Sequence, residues 1–209
     1  MAIYIIAALV AYLIGSINFS VILSKKMAGF DLREKGSGNA GTTNMLRTVG
    51  KKAAAFTLIL DILKGVVAIF IAKLVGSIWQ EFNGALLVQL AGIFVVIGHT
   101  FPIFFKFKGG KGVATSLGVL LTLNWQIGLI CLVFALVLIT LTQMVSVGSI
   151  AAAILYPVLS IFIGQNYLVP GSYLISSIVL AVIIVFNHRE NVKRLMSGTE
   201  NKISFKTVK

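Results

Sequence analysis

The chain has 209 residues, of which 58% are hydrophobic and only 11% charged, and its mean hydropathy is +1.00. Soluble domains run about 45–50% apolar and about 25% charged, so this composition excludes an ordinary soluble protein and describes an integral membrane one. The net charge is +12, but it is confined to loops and shows no aromatic-basic recognition pattern. That excludes a nucleic-acid partner and favours anionic membrane lipid or a phosphorylated substrate.

Residues 2–23 form an apolar run without the basic start of a signal peptide, followed by Lys25-Lys26. It reads as a retained anchor whose Lys25 end is cytoplasmic. Residues 25–52 are polar, basic and glycine-bearing. Further apolar runs cover 53–75 and 85–101 and, after a central basic loop, 113–123, 127–142, 144–163 and 167–186. A basic tail runs from His188 to Lys209. No internal repeat is visible, and 1–209 reads as one domain. The single cysteine, Cys131, lies inside an apolar run and excludes an intramolecular disulfide.

The short run 113–123 leaves the number of crossings open, because a span takes about 20 apolar residues. Parity decides it. With seven crossings the loop at 25–52, the central loop and the tail lie on one side, and together they hold sixteen of the eighteen Lys and Arg residues. The opposite loops, 76–84, 124–126 and 164–170, hold none. Six crossings would put the basic tail opposite the other two regions, against the positive-inside rule. The expectation is an all-α membrane protein with seven transmembrane helices, amino terminus outside and carboxyl terminus cytoplasmic. Short cytoplasmic loops would form its site.

The other two basic residues are within spans. Lys73 is near the outer end of its helix and can reach the interface. Lys64 is deeper, three residues after Asp61, on the same helix face. Such a pair reads either as a proton or ion site or as a neutralised pair that fixes helix packing. No second acidic residue lies in another span to continue a relay, which favours packing.

Three polar clusters carry the chemistry. The first is Gly36-Ser-Gly-Asn-Ala-Gly-Thr-Thr-Asn44, followed by Arg47. Glycines such as Gly38 let backbone approach a ligand. Ser37, Asn39 and Asn44 add hydroxyl and amide groups, and Arg47 can fork onto a phosphate. A flexible linker would carry Ser and Gly without this density of amides. The second cluster is Gly98-His-Thr-Phe-Pro-Ile-Phe-Phe-Lys-Phe-Lys-Gly-Gly-Lys-Gly-Val-Ala-Thr115. Gly109 and Gly110 offer backbone N–H groups to an anion, and Lys111 is at the mouth of the next span. Phe105 stands where a Walker A motif needs its first glycine, so no nucleotide is implied. As a bland alternative, the stretch is a basic cytoplasmic loop. The third cluster, Asn187-His-Arg-Glu-Asn-Val-Lys-Arg194, ends the last span. Its His188 reads as a base, a donor to phosphate or an interfacial residue.

Together these clusters resemble the PlsY family, the bacterial glycerol-3-phosphate acyltransferases that depend on acyl phosphate. The resemblance covers nearly the whole chain. It rests on Ser37–Asn44 with Arg47, on Gly98–Thr115, and on His188–Asn191 with Arg194, Leu195, Gly198 and Glu200. Gly15-Ser16 and Asp61 with Lys64-Gly65 also match. Asn18 and Thr42 depart from the usual proline and alanine without touching the anionic chemistry.

The resemblance implies transfer of an acyl group from acyl phosphate to the 1-hydroxyl of sn-glycerol 3-phosphate, giving lysophosphatidic acid and phosphate. It implies no cofactor or metal, a cytoplasm-facing site in the bacterial plasma membrane, and coupling to the soluble enzyme that makes acyl phosphate. By position, the phosphate contacts are Ser37, Asn39, Arg47, Lys111, Ser149, His188 and Asn191, with Arg47, Lys111 and His188 nearest the chemistry.

The H-x4-D spacing of acyl-CoA-dependent acyltransferases is absent, since His99 is followed five on by Phe104 and His188 by Lys193. Direct attack without an acyl-enzyme is expected, the donor's own phosphate or His188 taking the proton. A small transporter or channel for an anionic solute is the alternative. It gains from the Asp61–Lys64 pair and loses because the polar clusters share one face.

Overall fold

The computed structural model describes residues 1–79, 82–163 and 172–203. The outer loop expected at 164–170 and the last residues of the basic tail lie outside this set. The described residues contain ten α-helices and no strand, in two compact units, one up to Thr122 and one from Leu123.

In the first unit the apolar run 2–23 is not one helix. It forms α1 (Ala2–Gly15) and α2 (Phe19–Ala28), broken at Ser16–Asn18. Asn18 caps α2, its side chain accepting from Val21 N, and Gly29 closes the helix in the left-handed region at φ +75°. The break frees carbonyls that the bilayer cannot hydrate. Lys64 meets them. Its Nζ donates to the Gly15 carbonyl at 3.1 Å and the Ile17 carbonyl at 2.9 Å, while Asp61 Oδ1 neutralises it at 2.9 Å. The pair therefore fixes helix packing, and it is the counterpart of a discontinuity invisible in the apolar run.

Lys64 stands on α4 (Lys51–Ile78), which follows the short α3 (Thr42–Thr48), and α5 (Gly84–Thr100) and α6 (Val113–Leu123) complete the unit. Lys73, expected to reach the interface, also donates to the Thr122 carbonyl at the end of α6 at 2.8 Å. Glycines set the helix crossings. Gly15 faces the Val95 carbonyl and Gly98 the Tyr12 carbonyl, which brings α1 onto α5. Gly65 faces the Thr115 carbonyl and Gly118 the Ile62 carbonyl, which brings α4 onto α6. Helices surrounded by lipid gain little from burying apolar side chains, so this close backbone approach supplies the packing energy.

The second unit holds α7 (Trp125–Thr142), α8 (Val145–Phe162), α9 (Ser172–Asn187) and α10 (Arg189–Met196). Gln143, at φ 60°, turns α7 into α8, and Gly148 of α8 packs on the Ala135 carbonyl of α7. The chain bends by 59° between α9 and α10.

Four stretches are long and apolar enough to cross a membrane: Ala2–Ala28, Gly84–Phe105, Trp125–Thr142 and Val145–Phe162. The bent pair α9 and α10 makes a fifth, and α6 is a shorter apolar helix. The 28-residue α4 has the length but carries Asp61, Lys64 and Lys73. Apolar side chains such as Ile6, Phe70, Val133 and Val182 are well exposed, and they are the lipid-facing surface of a multi-pass membrane protein.

Two glycine substitutions separate close packing from backbone strain. A Cβ at Gly118 would meet the Ile62 carbonyl, whereas one at Gly29 meets nothing within 4 Å. Gly29→Ala therefore incurs only left-handed strain of about 1–2 kcal/mol and leaves the yield of folded protein in detergent near wild type. Gly118→Ala should force α4 from α6 and cause a clear loss of folded protein by size-exclusion chromatography. Equal losses would contradict the assigned crossing.

Candidate active site

In the first unit, two polar clusters meet. Between α2 and α3 the chain makes a short 3-10 turn, Leu32–Glu34, and then the glycine loop. Gly36 (φ +59°) and Gly38 (φ +72°) are in the left-handed region, where a side chain would be strained. Leu32, Met45, Ala53 and Ala54 form a small apolar core under the loop, so this segment is anchored as a flexible linker would not be.

Asn44 holds the loop from within. Its Oδ1 accepts from Ser37 N at 3.0 Å, and its Nδ2 donates to the carbonyls of Leu32 (3.2 Å), Lys35 (3.0 Å) and Asn39 (3.0 Å). The residue is buried. Asn44, expected among the substrate contacts, shapes the loop through these bonds. Ser37 and Gly38 are exposed, while Asn39 and Arg47 are half-buried.

The central loop begins where α5 ends. Pro102 and the turn Ile103–Phe105 lead to Lys106 and Phe107, both at φ 57°. The chain then doubles back along the end of α5. Gly109 N donates to the Thr100 carbonyl at 3.1 Å and Gly110 N to the His99 carbonyl at 3.2 Å. A Cβ at Gly109 would meet the His99 carbonyl, and one at Gly110 would meet His99 Nε2 and the Ala40 carbonyl. Only glycine fits either place. The Ala40 contact sets the glycine loop directly against the central loop. Lys111 follows, half-buried, just before α6.

Arg33 clamps the two loops together. Its Nε and Nη2 make a bidentate pair with the Asp31 carboxylate at 2.9 and 2.7 Å, and its Nη1 donates to the Phe105 carbonyl at 2.6 Å. Hydrogen bonds from Arg33 hold the Asp31 carboxyl well below the usual carboxylate range, against the opposing effect of burial. Asp31, Arg33, Glu34, Gly38, Lys106, Lys108 and Gly109 line a cleft of about 400 Å³. The clamp did not stand out in the sequence; its one signal was the Asp31-x-Arg33 spacing.

In the second unit, His188 stands at the bend between α9 and α10 and is buried. Its Nδ1 lies 2.8 Å from the Ile184 carbonyl. A carbonyl only accepts, so Nδ1 carries hydrogen. Ser149 is buried near the start of α8, one turn after Ser146.

Glu200 organises this end of the unit. Its Oε1 accepts from Ser146 Oγ at 2.9 Å and from Asn191 Nδ2 at 2.6 Å, and its Oε2 accepts from Arg194 Nε at 2.8 Å. Burial alone would raise this carboxyl, but the donors from Asn191, Ser146 and Arg194 outweigh it and hold the group below its ordinary value. Thr199 N closes α10 onto the Arg194 carbonyl at 2.8 Å, with Gly198 at φ +69°, which turns the chain back to bring Glu200 home. Asn191 thus has its amide nitrogen engaged by Glu200.

The sequence matches the family model "Glycerol-3-phosphate acyltransferase" over residues 5–198. It is 45% identical to the glycerol-3-phosphate acyltransferase of Thermoanaerobacter pseudethanolicus over 204 residues, covering 97% of each chain. It is also 45% identical to that of Clostridioides difficile over 207 residues, again covering 97% of each. The fold is similar to a crystal structure of PlsY, an integral membrane glycerol 3-phosphate acyltransferase, in its glycerol 3-phosphate form. The TM-score is 0.85 and the identity 36%, over 96% of both chains. The lysophosphatidic acid form of that protein matches with TM-score 0.83 and 34% identity, over 96% of this chain and 95% of that one. With these matches over almost its full length, the chain belongs to the PlsY family of glycerol-3-phosphate acyltransferases.

Proposed function

We propose that the protein transfers a fatty acyl group from acyl phosphate to the 1-hydroxyl of sn-glycerol 3-phosphate, releasing lysophosphatidic acid and phosphate. Family membership supports the acyltransferase activity and the acceptor. The donor is argued from chemistry. The observation that carries it is Lys111 beside the side-chain-free Gly109–Gly110 turn, set against Ala40 of the glycine loop, a small basic surface suited to a bare phosphate. A nucleotide-bearing donor would need a platform for its base.

In this reaction the 1-hydroxyl oxygen attacks the acyl carbonyl carbon. The bond from that carbon to the bridging phosphate oxygen breaks, and phosphate leaves with the electron pair. The hydroxyl proton passes to phosphate. Acyl phosphate is an activated anhydride, so orientation and charge neutralisation suffice. Ser37, Asn39, Arg47 and Lys111 of the first unit supply phosphate contacts, while Gly38, Gly109 and Gly110, whose amides donate to carbonyls within the loops, leave room for the ligand to approach. Ser149, His188 and Asn191 of the second unit contribute polar groups, with His188 Nε2 orienting the acceptor rather than serving as base.

Residues 1–209 act as one membrane domain with seven crossings, its amino terminus outside and its basic loops in the cytoplasm, in a bacterial plasma membrane. The charge asymmetry between loops supports this arrangement. Coupling to a soluble source of acyl phosphate follows from the donor.

Purified protein should turn over palmitoyl phosphate with radiolabelled glycerol 3-phosphate, use palmitoyl-CoA little or not at all, and keep its rate in EDTA. Equal use of palmitoyl-CoA, or loss of activity in EDTA, would overturn the donor chemistry while leaving the family intact.

Arg47→Ala and Lys111→Ala should each fold and lose about 1.5–3 kcal/mol of transition-state stabilisation, roughly one to two decades in rate. Lys106→Ala should lose less, because Lys106 is exposed and precedes the glycine turn. His188→Ala should raise KM for glycerol 3-phosphate and leave the pH-rate profile unchanged. Equal losses at all three cationic positions would indicate general surface charge instead of an ordered site.

A further inference from the structure

Beneath the central loop lies a buried group that the proposed chemistry does not use. Asp61 and Lys64 of α4 and His99 of α5 are 1%, 4% and 4% exposed. Asp61 Oδ1 is shared: it lies 2.9 Å from Lys64 Nζ and 3.5 Å from His99 Nδ1. The first is an ion pair, and the second is an electrostatic contact rather than a hydrogen bond. At its other edge the imidazole places Nε2 where a Gly110 side chain would stand. The His99 carbonyl accepts from Gly110 N at 3.2 Å. One residue therefore touches the carboxylate on one side and the phosphate-binding turn on the other.

We propose that Asp61, Lys64 and His99 form a positioning network that sets the height and register of the Gly109–Lys111 turn. The inference rests on the reading of that turn as a phosphate site. Lys64, held between two carbonyls of the broken α1–α2 junction and Asp61, fixes the carboxylate. The carboxylate, through its charge, fixes the imidazole's rotation about its side-chain bonds. The ring then acts as the floor on which Gly110 rests, and this floor sets where Lys111 leaves the backbone. A pair that served packing alone would have no need of a third group, since Asp61 and Lys64 neutralise each other and Lys64 has its carbonyls. The cost of a loose floor is large, because a displacement of about 1 Å at a substrate-positioning group lowers kcat/KM by up to about a hundredfold.

The test uses full-length protein in detergent, with four variants. Asp61→Asn/Lys64→Met removes both charges together, which spares the fold the cost of one unpaired buried charge. His99→Asn keeps a polar atom near Nδ1 but cannot reach Gly110. His99→Gln extends to the Nε2 position. Lys73→Met removes a different lysine–carbonyl contact from the same helix and serves as the control. Two quantities are measured on folded material: KM and kcat for glycerol 3-phosphate with palmitoyl phosphate saturating, and the thermal stabilisation given by inorganic phosphate.

The charge-free double variant and His99→Asn should raise KM about tenfold or more, change kcat far less, and need correspondingly more phosphate for the same stabilisation. His99→Gln should lie closer to wild type than His99→Asn, and Lys73→Met should match wild type in both readouts. Wild-type values of KM and phosphate stabilisation in the folded double variant would overturn the network. So would failure of the double variant and both His99 variants to fold, which would make the group part of the fold alone. If wild type does not use acyl phosphate but binds phosphate, and the double variant loses that binding, the acyl-transfer reading falls while the positioning role stands.

Discussion

A bilayer offers no water to an unpaired backbone group, and the most telling consequence here is the contact of Lys64 with the broken first helix. Continuous helices satisfy their own hydrogen bonds, so a chain in lipid can interrupt one only where another element supplies donors. Lys64 Nζ supplies them to Gly15 and Ile17. Its charge would be costly at that depth without Asp61, and the shared carboxylate in turn brings in His99. From one gap in α1–α2 follow the ion pair on α4, the buried imidazole on α5 and the floor of the central loop. The rest of the polar chemistry gathers at helix ends, where water and lipid head groups can meet it.

Much of this was legible in the sequence because hydrophobic runs and charge follow simple rules. The runs at 127–142 and 144–163 correspond closely to Trp125–Thr142 and Val145–Phe162, and the short run 113–123 to Val113–Leu123. The glycine loop and the central loop stood out by composition, and in the structure they touch at Ala40 and Gly110. Contacts between residues far apart in sequence were harder to see. The break at Ser16–Asn18 lies inside an apolar run with no proline, and the lysine that serves its carbonyls stands on another helix. Arg33 looked like one more loop cation until its donors to Asp31 and Phe105 were in place. Asn44 looked like its neighbours in the loop, yet its amide bonds the backbone of Leu32, Lys35, Ser37 and Asn39, which composition cannot reveal.

Glu200 shows the same limit in the second unit. Composition marks it as one of two acids in a basic tail, but its partners Ser146, Asn191 and Arg194 come from two helices, and a turn at Gly198 brings it to them. A carboxylate holding three donors keeps their side chains in fixed directions, and this has a consequence for pH. The folded-state value lies below the unfolded one, so the stabilisation is present above the unfolded value. It is lost as pH falls through the folded one.

The proposed topology puts the basic loops on one membrane face, the cytoplasmic one, on the strength of the positive-inside rule. The direct measurement is labelling with a membrane-impermeant maleimide in a Cys131→Ala background, with single cysteines at the exposed positions of Lys35, Lys108 and Lys202. With this topology all three react in inside-out vesicles and none in right-side-out ones. Reaction of the Lys202 position from the outside alone would place the tail opposite the other loops and contradict it.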